Sequence, residues 1–151
     1  MRIIVVGGGR YGSLLTHSLL YQGYQVSLIE SNSGRAMELA AEFGRLVIEG
    51  NGVDRYTLDR AIRTGFFKKA ADWIIPCTGD DLTNQICALT ARHICSTIKI
   101  CIRIKEVEHA RYWNAVDRVI PTPICIPPET FTSAIILTLL SVGTSVDGNA
   151  N

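Results

Sequence analysis

Short apolar runs alternate with amphipathic stretches along nearly the whole chain, and this alternation predicts the fold. Ile3-Ile4-Val5-Val6 is a continuous run of β-branched residues, the pattern of a strand buried on both faces. Leu14, Leu15, Ser18, Leu19 and Tyr21 follow at helical spacing until Gly23 ends the pattern. A second strand is predicted over Gln25-Val26-Ser27-Leu28-Ile29. A second helix is predicted from Ala36, Leu39, Ala40 and Phe43, capped by Asn32 or Ser33 and stopped at Gly44. Leu46-Val47-Ile48 reads as a third strand, and Leu58, Ala61 and Ile62 mark a short helix before Gly65. The fourth strand is Trp73-Ile74-Ile75-Pro76-Cys77. Because proline donates no ladder hydrogen bond, Pro76 must lie among its last residues or beside a bulge. A helix capped by Asp80 or Asp81 runs to about His93, and Ile98 to Ile104 is a fifth strand whose alternation predicts one partly exposed face. A helix over Glu106 to Asn114 and a sixth strand, Arg118-Val119-Ile120, come next. After a stretch broken by prolines, a last helix covers Glu129 to Ser141, with Pro128 suited to its first turn.

Strands alternating with helices predict an α/β fold with a doubly wound parallel sheet. Right-handed crossovers give six strands in the Rossmann order 3-2-1-4-5-6. At 151 residues and 16.6 kDa the chain fits a single domain, residues 1–141, and the polar tail 142–151 is expected to be disordered. A net charge of +1 with scattered basic residues supplies no field for capturing nucleic acid. The five cysteines Cys77, Cys87, Cys95, Cys101 and Cys125 are an odd number without a Cys-x-x-Cys pair, which reads as reduced thiols in a cytoplasmic protein. His17, His93 and His109 lie at no ligand spacing from them, so no metal is expected. The sequence opens directly into its first strand, so no signal peptide is expected. The apolar stretch Phe131 to Val142 is too short to span a bilayer, so no direct membrane insertion is expected.

Candidate chemistry concentrates at the turn Gly7-Gly8-Gly9-Arg10-Tyr11-Gly12, between the first strand and the first helix. In that setting Gly7 permits the tight turn, Gly9 lets a pyrophosphate approach the backbone, and Gly12 lets helix and strand pack closely. The helix presents unpaired N–H groups and its positive dipole end to the phosphates. Glu30 ends the second strand about 20 residues on, where an acid accepts hydrogen bonds from ribose hydroxyls and repels a 2′-phosphate, favouring NAD over NADP. Ligands in such sheets lie over the carboxyl ends of the strands at the reversal of order. That rule gathers Gly7 to Gly12, Glu30, Asn51 and Cys77 to Gly79 into one crevice. Cys77 faces it, but nothing nearby in sequence lowers its pKa, so it reads as buried packing.

The residues resemble a known family: the nucleotide-binding regulatory domain of potassium uptake systems and potassium channels, the Trk-type N-terminal (KTN or RCK) domain. The resemblance rests on Ile3 to Gly12, on Leu28-Ile29-Glu30, and on Ala71-Asp72-Trp73-Ile74-Ile75 running into Thr78-Gly79-Asp80-Asp81-Leu82-Thr83-Asn84. It continues in Ile102-Arg103-Ile104 with Glu108-His109-Ala110, and in Val116-Asp117-Arg118-Val119-Ile120-Pro121. It implies that Arg10 and the backbone after Gly9 contact phosphates, that Tyr11 belongs to the cofactor-binding turn, and that Glu30 holds the adenosine ribose. Asn51 and Gly52 would lie at the adenine, Thr78 and Gly79 beside the ligand's middle, and Arg103 near phosphate or the second nucleoside. The implied cofactor is NAD or NADH, with ATP or ADP as the alternative. The implied partner is a membrane potassium transporter or channel subunit, engaged by a homodimer or higher homo-oligomer at the inner face of the cell membrane. The sequence departs from the family in carrying Gly50-Asn51-Gly52 where Gly-Asp-Ala is usual, and the further C-terminal ligand-binding domain that many members carry is not expected within these residues.

The competing reading is an NAD-dependent oxidoreductase of a small substrate. Such an enzyme needs a positioned acid or base beside the nicotinamide and a wall for its substrate. The sequence offers no Tyr-x-x-x-Lys pair and no catalytic residue is assigned, so a nucleotide-sensing regulatory domain that gates a transporter by conformational change is the favoured expectation.

Overall fold

A computed structural model of the chain describes residues 1–63, 70–111, 113, 118–121 and 127–144. Gly65, Cys125, the expected end of a helix at Asn114 and the tail after Thr144 lie outside the described residues. The central strand is β1 (Arg2–Val6), flanked by β2 (Gln25–Glu30) and β4 (Trp73–Pro76). β3 (Val47–Glu49) extends the sheet beyond β2, and β5 (Lys99–Ile104) extends it beyond β4. All of these pairings are parallel, so the five strands run in the order 3-2-1-4-5. Outside β5, the four residues Arg118–Pro121 (β6) pair with it in parallel.

The alternation along each strand sorts its side chains onto two cores. Ile3 and Val5 face one side with Val26, Leu28, Trp73 and Ile75, covered by α1 (Arg10–Tyr21), α2 (Ser33–Phe43) and α6 (Pro128–Thr144). Ile4 and Val6 face the other side with Ile29, Ile74, Ile100 and Ile102, covered by α3 (Arg55–Arg63) and α4 (Asp81–Ile94). Burial of both faces explains why these strands read as continuous apolar runs. It also corrects the fifth strand. No partly exposed face is present in β5: all but Lys99 is buried, because Cys101 packs under α6 while Ile100 and Ile102 pack under α4.

Pro76 is the last residue of β4, aligned with Val6 of β1. The Cys77 N–H donates to Val6 O at 2.9 Å, so strand alternation turns position 76 toward β5. There the ladder covers only Trp73 and Ile74, and no donor is required of the proline. Three element boundaries shift. Leu46 belongs to a 3-10 turn, Gly44–Leu46, and the third strand starts at Val47. A single helical turn, α5 (Val107–Ala110), occupies the expected Glu106 helix. α6 runs past the expected Ser141 to Thr144, with the Ser141 hydroxyl donating back to Thr138 O at 2.8 Å.

Candidate functional site

The glycine turn places its three glycines in three different environments. Gly7 has φ +102°, a backbone that side chains rarely adopt, and its N–H donates to Ile29 O at 2.8 Å. Gly12 sits where an added Cβ would lie 1.7 Å from Gly7 O, so the first turn of α1 rests directly on the end of β1. Gly9 is the reverse: nothing lies within 4 Å of where its Cβ would be, and it opens onto the crevice. Gly9 is also the N-cap of α1 and supplies no capping side chain, nor does any acidic residue occupy the first turn. Arg10, exposed, stands in that turn although a cation there opposes the helix dipole. The neighbouring helix α4 differs, because Asp80 caps it through Thr83 N–H at 2.6 Å and Asp81 follows. Of the two helix N-termini at the mouth of the crevice, only that of α1 keeps its positive end uncompensated.

Glu30 carries a structural duty that sequence reasoning missed. One carboxylate oxygen accepts the Gly8 N–H at 2.7 Å and the other accepts the Asn32 N–H at 2.7 Å, tying the glycine turn to the loop after β2. Arg35 holds the same turn from its other side, its Nε donating to Gly8 O at 3.1 Å. Each Glu30 oxygen retains a further lone pair, so the group remains available to sugar hydroxyls.

Across β1 the crevice is walled by the end of β4 and by β5. The Asn84 side chain accepts Thr78 N–H at 2.9 Å and Thr78 Oγ1–H at 2.7 Å, and donates to Arg103 O at 3.0 Å. Asp81 accepts the N–H groups of Lys105 (2.9 Å) and Glu106 (3.0 Å). The Thr-Gly-Asp-Asp-x-x-Asn stretch thus works as a clasp between the ends of β4 and β5. Inside it lies Arg103, only 7% exposed, with its guanidinium 3.9 Å from the Tyr11 ring centroid and Nη1 donating to Thr78 O at 2.7 Å. Its Nε has no hydrogen-bond partner, and no carboxylate pairs with it among the described residues. A buried cation without a counterion is costly, and it lines the crevice.

The crevice has a volume of about 450 Å³, within the range of ligand sites. Of the expected site residues, Gly7, Gly9, Arg10, Tyr11, Glu30, Asn51, Gly52, Thr78, Gly79 and Arg103 all line it. Gly12 does not, since it serves helix packing beneath. Sequence reasoning missed Ser31 and Thr83 in the lining. The available signal was position: Ser31 directly follows the acid, and Thr83 stands in the first turn of α4.

Cys77 lies on the floor of the crevice at 4% exposure, its thiol donating to Val6 O at 3.4 Å. Burial pushes its pKa up to about 12, against a smaller opposing pull from Arg103. Iodoacetamide at neutral pH is therefore expected to leave Cys77 intact and, among the described cysteines, to modify half-buried Cys95 first, as read by peptide mass spectrometry. The sign of the alkaline effect follows from the same shift. Between pH 9.0 and about 12 the unfolded thiol ionises while the folded one stays protonated, so stability falls as pH rises. In urea unfolding across that window, Cys77→Ala should flatten the fall by up to ~1 kcal/mol per pH unit. An equal slope in the two proteins would contradict this.

No helix among the described residues is long and apolar enough to cross a membrane. The TrkA-N domain model matches residues 3–122. The Trk system potassium uptake protein TrkA homolog of Pyrococcus abyssi is 35% identical over 119 residues, covering 79% of this chain and 50% of that protein. The chain therefore spans about half the length of that relative. The crystal structure of the TrkA-N domain of inner membrane protein ybaL from Escherichia coli superposes with a TM-score of 0.70 at 23% identity, covering 92% of this chain and 96% of that one. The structure of GsuK bound to ADP has a TM-score of 0.63 at 26% identity, covering 92% of this chain and 33% of that one. The strand–glycine–helix–acid crevice and the clasp behind it thus come with sequence similarity across most of the chain, and the chain belongs to the TrkA-N domain family, homologous to the potassium uptake protein TrkA and to the RCK domains of potassium channels.

Proposed function

We propose that this chain binds NAD(H), or ADP or ATP in its place, and acts as a regulatory unit on a membrane potassium transporter or channel rather than as an enzyme. The observation that carries this reading is the convergence of two uncompensated positive features on one crevice: the uncapped N-terminus of α1 at open Gly9, and the buried Arg103 guanidinium with its unpartnered Nε. A phosphate chain satisfies both. Glu30, fastened beside the glycine turn, takes the ribose, and its charge disfavours a 2′-phosphate. The NAD, AMP and ADP complexes among similar structures support the ligand class, and the TrkA relatives support the role in potassium transport.

The titratable side chains lining the crevice are Arg10, Tyr11, Glu30, Cys77 and Arg103. Glu30 is held by two backbone N–H groups and Cys77 keeps its proton, which makes the site poor in free acid and base and favours a switch over an oxidoreductase. The unit works at the cytoplasmic face as a homo-oligomer, and nucleotide biases the partner's gate through unequal affinity for two packing states. Isothermal calorimetry with NADH, NAD, ADP and ATP should show saturable binding of at least one. Absence of binding by all four would overturn the proposal, and turnover of an added alcohol or keto acid with NAD would support the oxidoreductase instead.

A further inference from the structure

We infer that Tyr11 is a positioning residue of the crevice, whose ring holds the Arg103 guanidinium ready for a phosphate and ties occupancy of the site to the seating of α6; this rests on the nucleotide-binding reading above. Three segments far apart in sequence meet at this ring. Tyr11 itself stands in the first turn of α1 and lines the crevice. Arg103, from β5, lies over the ring with its guanidinium carbon 3.9 Å from the centroid. Phe131, from α6, meets the same ring nearly at right angles, with centroids 5.5 Å apart and ring planes at 77°.

Arg103 needs such a support. It is a long side chain, buried, with no carboxylate paired to it and no partner for Nε among the described residues. What holds its guanidinium is the Nη1 bond to Thr78 O at 2.7 Å and the face of the Tyr11 ring. A cation over an aromatic face is attracted by the ring quadrupole, most strongly where water is excluded. A guanidinium fixed in this way before the ligand arrives loses less side-chain freedom on meeting a phosphate, so the ring raises affinity by acting through Arg103. Tyr11 is in turn set by Phe131, which is 1% exposed and packs with Ile135 and Leu139 in the core beneath α6. Two buried hydroxyls, on Thr132 of α6 and Thr16 of α1, have no hydrogen-bond partner among the described residues, so neither fastens the helix. The seating of α6 depends on its apolar contacts, and Phe131 carries that dependence to a residue lining the crevice. Coupling between two sites is reciprocal, so a ring that steadies Arg103 from α6 also transmits the loading of Arg103 back to α6.

The test is calorimetric titration of the full chain with whichever of NADH, NAD, ADP and ATP binds the wild type most tightly, since all four carry the diphosphate. The proteins are wild type, Tyr11→Leu, Tyr11→Phe, Arg103→Met and the Tyr11→Leu/Arg103→Met double variant, each first shown to be folded by circular dichroism. Tyr11→Leu is expected to weaken binding about tenfold, and Tyr11→Phe, which keeps the ring, to recover most of that loss. In the Arg103→Met background the same Tyr11→Leu change should cost less than about twofold, because the ring then has no cation to hold. A tyrosine that merely props up the fold would give equal losses in the two backgrounds. That additivity would overturn the inference, as would equal losses in Tyr11→Leu and Tyr11→Phe or no loss in either. Amide hydrogen exchange reads the reciprocal effect: saturating nucleotide should slow exchange over residues 131–139 of α6 about threefold or more in the wild type, and far less in Tyr11→Leu at equal saturation. Unchanged α6 exchange in the wild type, a result that needs no variant to fold, would overturn the inference, and so would the same slowing in both proteins. Each of these results leaves the nucleotide-binding reading standing, whereas no binding by any of the four nucleotides would overturn both.

Discussion

Gly9→Asp is expected to abolish nucleotide binding while leaving the protein as stable as the wild type or slightly more so. The two halves of that outcome have separate causes. On the folding side, no atom lies within 4 Å of the position a Cβ would occupy, and the Gly9 backbone, at φ −69° and ψ −169°, is one that any residue adopts. Aspartate is moreover a good N-cap, and α1 has no side-chain cap, so the substitution gains a few tenths of a kcal/mol or more at the helix terminus. On the binding side, the new carboxylate occupies the space a phosphate needs, consumes the free N–H groups and neutralises the dipole that would attract the anion. Loss of at least about 100-fold in affinity is expected, equivalent to ~3 kcal/mol. Calorimetry gives the first half and urea unfolding monitored by circular dichroism gives the second. A Gly9→Asp protein that still bound NADH or ADP at wild-type affinity would remove α1 from the site.

Gly12→Ala should do the opposite, damaging the fold first. Its Cβ would stand 1.7 Å from Gly7 O and 2.9 Å from Gly7 C. Both are main-chain atoms at the end of the central strand, so no side-chain rotation relieves the clash. β1 and α1 would have to separate by more than an ångström, opening the packing of Leu15 and Leu19 against Ile3, Val5 and Leu28. Alanine's better helix propensity returns only ~1 kcal/mol. Overpacking of a rigid contact commonly costs ~1–3 kcal/mol and more where the backbone itself must yield, so a net loss of at least about 3 kcal/mol is expected. Gly9→Ala, three residues earlier on the same turn, serves as the control and should change stability by less than ~1 kcal/mol. If the two alanine variants unfolded at the same urea concentration, the close approach of helix to strand would carry no weight.

These two glycines mark how far local reading reaches. The spacing Gly7-x-Gly9-x-x-Gly12 between a β-branched run and a helical pattern was enough to assign one glycine to the turn, one to the open crevice and one to packing, because all three positions lie within one turn of chain. The strand series was legible for the same reason, and so was the place of Pro76 at a strand end. Contacts between distant segments were not. Nothing adjacent to Glu30 in sequence reveals that both its oxygens hold backbone N–H groups, one of them in the glycine turn. The choice between Asp80 and Asp81 as the cap of α4 stayed open until the loop after β5 claimed Asp81. Asn84 stood in the sequence only as the end of the Thr78 to Asn84 stretch, with no partner to be read there, yet it joins Thr78 to Arg103. The predicted half-exposed face of β5 failed because α6, distant in sequence, returns to cover it.

Periodicity and turn chemistry along the chain therefore determined the elements, their parallel pairing and the end of the sheet at which the crevice opens. Those are consequences of backbone sterics and of hydrophobic burial repeated at fixed intervals, and both act over a few residues. Tertiary structure alone decided which charges are spent and which remain. Burial stacked Arg103 on Tyr11 without a counterion among the described residues, the fold closed both oxygens of Glu30 onto the main chain, and the loop after β3 engaged the Asn51 side-chain oxygen with the Val53 N–H. The free energy of a charge or a hydrogen-bonding group depends on what surrounds it in three dimensions, and that surrounding exists only once the strands have been brought side by side.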